Sequence, residues 1–305
     1  MIKTIKLVHN PTAGDEGHGS EILVKQLEDA GFECRYSSTK EDGWKEFEED
    51  VDMVAVAGGD GTVRKVLKKL LKRKDTDKQL PVGVLALGTA NNIAKTFDLD
   101  SETEKVIHSW KNEKIKKVDI GLVKNIPDVD FFFEGLGFGI FPFLMKEMKK
   151  AGEEFDSPEE GLKGALKKMH TILSSYEPRQ CYLEIDGTDH SGKFFMVEVM
   201  NIRFIGPNMM LAPDADPGDG EFEIVLVPEA HKEKFANFIL SGLMDADDAY
   251  HFHTLKGKKI SIRWDGTRVH ADDEMIKLEK ETEVKIEVKA GALHFLVSDE
   301  PSKTS

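Results

Sequence analysis

Short apolar runs alternate with segments of helical period over the first 120 residues. Residues 5–9 read as a strand. Ile22, Leu23, Gln26, Leu27 and Ala30 then place one face of a helix before a second strand over 32–37. A short helix over 44–49 precedes Val51-Asp52-Met53-Val54-Ala55-Val56-Ala57, whose β-branched, almost wholly apolar character predicts a strand buried on both faces. A helix over 63–71, a strand over 81–87 and a helix opening near Thr89 continue the alternation. Such βαβ order predicts a parallel sheet with right-handed crossovers, and ligands of open sheets bind at the carboxyl ends of the strands.

Past about Asp119 the pattern changes. Strands are predicted over 182–185, 194–200, 222–227, 259–264, 275–278, 284–288 and 293–297, with hairpin dipeptides at Asp186-Gly187 and Asp265-Gly266. Helical period returns over 142–176 and 231–244. The expected fold is therefore an α/β N-terminal domain with a parallel sheet, followed by a mostly antiparallel β-sandwich. Boundaries fall at 1–120 and 121–297, with 290–305 a candidate to return to the first domain.

Composition narrows the reading. A chain of 305 residues suits two cores rather than one. A formal charge of −14 argues against general nucleic-acid binding. The start of the chain alternates like a strand and lacks a signal-peptide core. Two widely separated cysteines, Cys34 and Cys181, offer no metal spacing and point to a reducing, cytoplasmic setting.

The chemistry gathers at predicted strand ends. Gly58-Gly59-Asp60-Gly61-Thr62 follows the most buried strand and opens a helix. Glycines admit a close backbone, amide N–H groups and the helix start attract anions, and Thr62 is placed to cap. Asp60 would repel phosphate unless it faces a metal, a hydroxyl or a sugar. Asn10-Pro11-Thr12-Ala13-Gly14, Thr39 and Gly88-Thr89-Ala90-Asn91-Asn92 fall at neighbouring strand ends. Farther on, Asp214-Ala215-Asp216-Pro217-Gly218-Asp219-Gly220-Glu221 reads as a cation-holding loop or as a metal-free acidic turn; it misses the EF-hand spacing. Asp272-Asp273-Glu274 reads as a carboxylate site or as a solvated hairpin tip. Gly135-Leu136-Gly137-Phe138-Gly139 lacks the offsets of a dinucleotide fingerprint and reads as a close-packed turn. The Lys- and Arg-rich helix at 64–74 reads mainly as a solvated basic face, with membrane contact the alternative.

In order, Asn-Pro-x-x-Gly, Gly-Gly-Asp-Gly-Thr, Leu-Gly-Thr-x-Asn, Ala212-Pro213-Asp214-Ala215 with Asp219-Gly220, and Asp272-Asp273-Glu274 resemble the bacterial diacylglycerol kinase and sphingosine kinase family. The resemblance spans about residues 4–297. It implies ATP held by Asn10, Pro11, Thr12, Ala13, Gly14, Thr39, Gly58, Gly59, Asp60, Gly61, Thr62, Val63, Arg64 and Thr89. Asp60 would help to position nucleotide and magnesium. Glu274, with Asp272 beside it, would receive the proton of a lipid hydroxyl, and Asp219, with carbonyl oxygens near Asp216 and Glu221, would hold magnesium. Implied partners are ATP, a lipid substrate (diacylglycerol or a related lipid), a membrane touched peripherally and, in some forms, a second copy of the chain. The chain departs from the family at Val63-Arg64-Lys65, at Asn92 and at Asp273. NAD kinase, which shares Gly-Gly-Asp-Gly-Thr, and a catalytically inactive nucleotide-binding regulator are the rival readings.

Overall fold

A computed structural model describes residues 2–14, 18–74, 77–151, 158–206, 208–244 and 252–298. The chain divides into two compact units, Met1–Val118 with Gly291–Ser305 and Asp119–Ala290.

The first unit is built on strands β1 (Thr4–His9), β2 (Glu33–Ser38), β3 (Met53–Gly58) and β4 (Val82–Ala86). Their order is β2-β1-β3-β4 and every pairing is parallel. Phe295 adds alongside Val82, also parallel. Helices α1 (Ser20–Asp29), α2 (Asp60–Leu70), α3 (Asn92–Thr96) and α4 (Thr103–Ser109) fill the connections. All six residues of β1 and of β3 are buried, as a sheet covered on both faces requires. Leu7, Leu23, Leu27, Ala55, Leu85, Val106 and Trp110 share one core with Leu296. Lys6 is a charged residue buried in β1. Its ammonium is satisfied by the carbonyls of Gly43 and Glu46 and by the Glu48 carboxylate, which is how a buried cation is tolerated. The helix expected over 44–49 is a short 3-10 turn at Asp42–Lys45. On α2, Val63, Val66 and Leu67 are buried while Lys65 and Lys68 are exposed, so its basic residues form the solvated side.

The second unit is antiparallel. It contains most of β5 (Ile115–Lys124), then β6 (Phe131–Phe132), β7 (Gly135–Gly139), α5 (Ile140–Ala151) and α6 (Pro158–Ser175). Next come β8 (Arg179–Ile185), β9 (Thr188–Asp189), β10 (Gly192–Met200), β11 (Phe204–Ile205), β12 (Met209–Met210) and β13 (Phe222–Pro228). After α7 (Lys232–Leu243) follow β14 (His253–Gly257), β15 (Lys259–Trp264), β16 (Arg268–Ala271), β17 (Glu274–Lys277) and β18 (Glu283–Leu296), the last of which ends in the first unit. One run of pairing is β17-β16-β7-β10-β13-β14, and a second leaves β10 through β8 and β15 to β18. Leu136, Phe138, Val197, Val199, Leu183, Ile262, Trp264 and Val284 meet in the sandwich core. The opposite face of β10 and β13 carries Met196, Val225 and Val227 against Phe141, Leu144, Met169, Leu173, Phe235 and Ile239 of the helices. The 142–176 segment is therefore a helical layer packed on the sandwich.

Asp186 and Gly187, both with positive φ, close the expected hairpin between β8 and β9. Asp265-Gly266 does not close one. Its flanking strand β15 pairs with β8 and β18, whereas β16 pairs with β7 and β17, so this turn carries the chain from one layer to the other. Residues 135–139, expected as a turn, form strand β7. The strands expected over 284–288 and 293–297 are one long strand, β18, with Gly291 in the left-handed region at φ 60°.

Candidate active site

In the first unit β1 has β2 on one side and β3 on the other, so the connections leave it in opposite directions. That makes the carboxyl ends of β1 and β3 the switch point where open sheets bind ligands. The loop after β1 is held by its own Asn10. Asn10 Oδ1 accepts from the Thr12 N–H at 3.2 Å and from Thr12 Oγ1 at 2.8 Å, and Nδ2 donates to Thr62 Oγ1 at 3.3 Å. Thr62, the expected helix cap, is thus the link between the first and third loops. Gly59 occupies the cap position of α2, with no side-chain bond. The Thr39 N–H donates to the His9 carbonyl at 2.8 Å and ties in the loop after β2.

The loop after β4 joins the same cluster through two devices. A Cβ on Gly88 would lie 2.4 Å from the Gly59 Cα, so two glycine backbones touch where the loops cross. Asn91, left-handed at φ 52°, accepts from the Gly88 N–H at 2.9 Å and donates to the Gly88 carbonyl at 2.8 Å. The Asp60 carboxylate reaches across to α3 and accepts from the N–H groups of Asn92 at 2.9 Å and Ile93 at 3.1 Å. Bonds of this charge-assisted kind contribute about 1.5–3 kcal/mol each. Asp60 thus faces backbone amides, and it braces the loop after β3 on the start of α3. Pro11, Thr12, Gly14 and Thr89 are exposed, Arg64 is half-buried, and Val63 turns its side chain into the core.

In the second unit, Ala271 pairs with Glu274 across a two-residue turn. The left-handed residue of that turn is Asp272, at φ 54°, and not Asp273, so no glycine is needed at 273. The Asp272 carboxylate accepts from the N–H groups of Phe133, Glu134 and Gly135 at 3.1, 2.7 and 3.3 Å, while its own N–H donates to the Gly135 carbonyl at 2.8 Å. Asp272, expected as a proton acceptor beside Glu274, is occupied as the anchor of the turn. Glu274 itself is exposed at the head of β17. Asn201 holds the 133–135 segment from the other side, donating to the carbonyls of Asp119 at 2.9 Å and Phe133 at 2.8 Å.

The acidic loop is internally tied. Asp216 Oδ1 accepts from the Gly218 N–H at 2.9 Å and Asp219 Oδ1 from the Glu221 N–H at 3.0 Å. Asp219 Oδ2 lies 2.9 Å from Lys256 Nζ, which is also 3.1 Å from buried Glu223, and Lys258 lies 3.8 Å from Glu221. Hydrogen bonds to Asp219 and Glu223 push the Lys256 ammonium well above its usual range, and burial pushes Glu223 up.

Residues 4–123 match the diacylglycerol kinase catalytic domain, and residues 159–297 match the YegS C-terminal NAD kinase beta sandwich-like domain. The chain belongs to the bacterial diacylglycerol kinase-like lipid kinase family. It is 27% identical to a diacylglycerol kinase of Bacillus subtilis (strain 168) over 77% of each chain. Its fold resembles that of a diacylglycerol kinase from Bacillus anthracis, with a TM-score of 0.72 at 22% identity over 98% of each chain. An NAD kinase from Archaeoglobus fulgidus, solved with ATP, shares the fold at a TM-score of 0.56 and 13% identity over 97% of this chain and 94% of that one.

For a member of this lipid kinase family, the acidic loop fits a resident divalent ion poorly. Asp216, Asp219 and Glu221 do not converge, and no group of three potential ligands is found among the described residues. The place of a cation between Asp219 and Glu223 is taken by Lys256. Replacing Lys256 with Met is expected to lower stability by about 1 kcal/mol, because Lys256 is half exposed and screened. Thermal melting with and without millimolar magnesium checks this: the variant, unlike the parent, should regain stability as the ion replaces the ammonium. Lys256, in the mostly polar strand β14, and Asn201, just past the end of β10, carried no local signal in the sequence.

Proposed function

We propose that this lipid kinase transfers the γ-phosphate of ATP, supplied with magnesium, to a hydroxyl of diacylglycerol or a related lipid. The observation that carries the reading is the loop cluster around the β1–β3 switch point, where the Asn10–Thr62 bond, the Gly59–Gly88 contact and the bonds from the α3 amides to Asp60 fasten three loops to one another. Phosphoryl transfer asks mainly for positioning and charge neutralisation, and prebonded loops supply the positioning without reorganisation. Asn10–Gly14, Thr39, Gly58–Arg64 and Thr89 bind the nucleotide. Magnesium travels with ATP as part of the substrate and neutralises charge on its phosphates. Glu274 takes the hydroxyl proton as the lipid oxygen bonds to the γ-phosphorus and ADP leaves.

Among the described residues no helix is long and apolar enough to cross a membrane. The test is transfer of labelled γ-phosphate to diacylglycerol in mixed micelles, beside an NAD sample. Label in the lipid supports the proposal, and label in NAD selects the rival kinase. ATP binding with no transfer to any lipid selects an inactive regulator.

A further inference from the structure

Beneath the Asp272 turn lies a pair that the mechanism above does not use. His270 and Glu198 are both fully buried, and His270 Nε2 stands 2.7 Å from Glu198 Oε2. On its other side the His270 Nδ1–H donates to the Asp272 carbonyl at 2.9 Å. The edge of Phe141 closes over the imidazole at a centroid distance of 4.9 Å. Room for the carboxylate exists because position 137 is glycine: a Cβ there would lie 1.8 Å from Glu198 Oε2. Glu198 Oε1 has no hydrogen-bond partner among the described residues.

A buried pair bonded through one carboxylate oxygen is poor value for stability, since apolar residues of similar size do as well or better. What it supplies is direction. The imidazole is gripped at both nitrogens, one by the core strand β10 and one by the backbone of the turn. From that turn Asp272 grips the amides of residues 133–135, and two residues later the chain presents Glu274.

We infer that the His270–Glu198 pair is a positioning device that holds the 272–273 turn and thereby aims Glu274 at the lipid hydroxyl. The inference rests on the reading of Glu274 as proton acceptor. Of the groups facing His270, Glu198 comes from β10 and Asp272 from the turn; β7 offers Gly137 and α5 offers Phe141, neither charged. Burial pulls His270 down, but Glu198 and Asp272 more than offset it, so the imidazolium persists above its ordinary value of 6.5. A group with a raised folded pKa contributes its stability fully below pH 6.5 and loses it as pH rises through the folded value. The turn should therefore loosen on the alkaline side.

The test uses the full chain, with Glu198→Met/His270→Phe as an apolar replacement that keeps the fold, and Glu198→Gln to remove only the charge. In the double variant, melting should stay cooperative. Amide exchange at Phe133, Glu134 and Gly135 should quicken about tenfold, and kcat should fall up to ~10²-fold, as misplacement of about an ångström would cause, with ATP affinity unchanged. In Glu198→Gln the alkaline limb of the kcat profile should move to lower pH, which a packing role would not do. A folded double variant that keeps either its amide protection or its kcat overturns the inference. If the parent protein phosphorylates no lipid, the kinase reading fails on that result, and the exchange data still decide whether the pair holds the turn.

Discussion

Glu274→Gln is expected to lower phosphoryl transfer to lipid by about 10²–10⁴-fold, the range over which a positioned general base contributes. ATP binding and thermal stability should stay at parental levels. The substitution keeps shape and removes only the basic oxygen. Glu274 is exposed at the head of an edge strand, and its register opposite Ala271 is fixed by backbone pairing and by Asp272, not by its own side chain. Single-turnover assays beside nucleotide titration separate the two effects. A loss confined to the lipid KM, with kcat intact, would move the proton acceptor elsewhere.

The second large effect is expected at Gly88→Ala, which should weaken ATP binding at least tenfold and destabilise the protein by about 1–3 kcal/mol, the usual range for overpacking. The added methyl would meet the Gly59 Cα at 2.4 Å and Asn91 Oδ1 at 2.8 Å. The first is backbone and cannot swing aside, so the loops after β3 and β4 must part. Parting them strains the Asn91 bonds to Gly88 and the Asp60 bonds to α3. Gly43→Ala is the control, because nothing lies within 4 Å of its new methyl. Calorimetric titration with ATP and thermal melting read both quantities. Parental affinity in Gly88→Ala would mean that the loops need not touch to bind nucleotide.

Local signals carried most of the first unit. Buried parallel strands announce themselves as apolar runs, and loops that end them with Asn-Pro or Gly-Gly-Asp-Gly-Thr are readable because their chemistry is contiguous. The second unit was legible as strands but less so in its pairing. Asp265-Gly266 has hairpin chemistry, yet its strands belong to different layers, and layer assignment is a tertiary fact. Gly135, Gly137 and Gly139 resemble a loop because strands rarely hold so many glycines; β7 needs two of them for neighbours across the sheet, Glu198 at 137 and the Phe195 carbonyl at 139. The roles of the acids divided in the same way. Asp60 and Asp272 were visible as carboxylates, but their amide partners lie about 32 and 139 positions away in the chain, beyond any local pattern. His270, Glu198 and Lys256 were silent for that reason as well.

The placement of residues 291–296 beside β4 has a consequence for biosynthesis. Phe295 stacks on Phe97 at 4.9 Å, and Leu296 enters the core shared by Leu7, Leu85 and Trp110. Domains that fold during translation usually do so in order of emergence from the ribosome. Here the first unit emerges first but lacks the segment that pairs with β4, while everything between 119 and 290 has still to be made. The second half can therefore condense while the first is still waiting. Released chains truncated before residue 291 should hold a sandwich with native protection, together with an α/β sheet whose β4 edge remains open to chaperones.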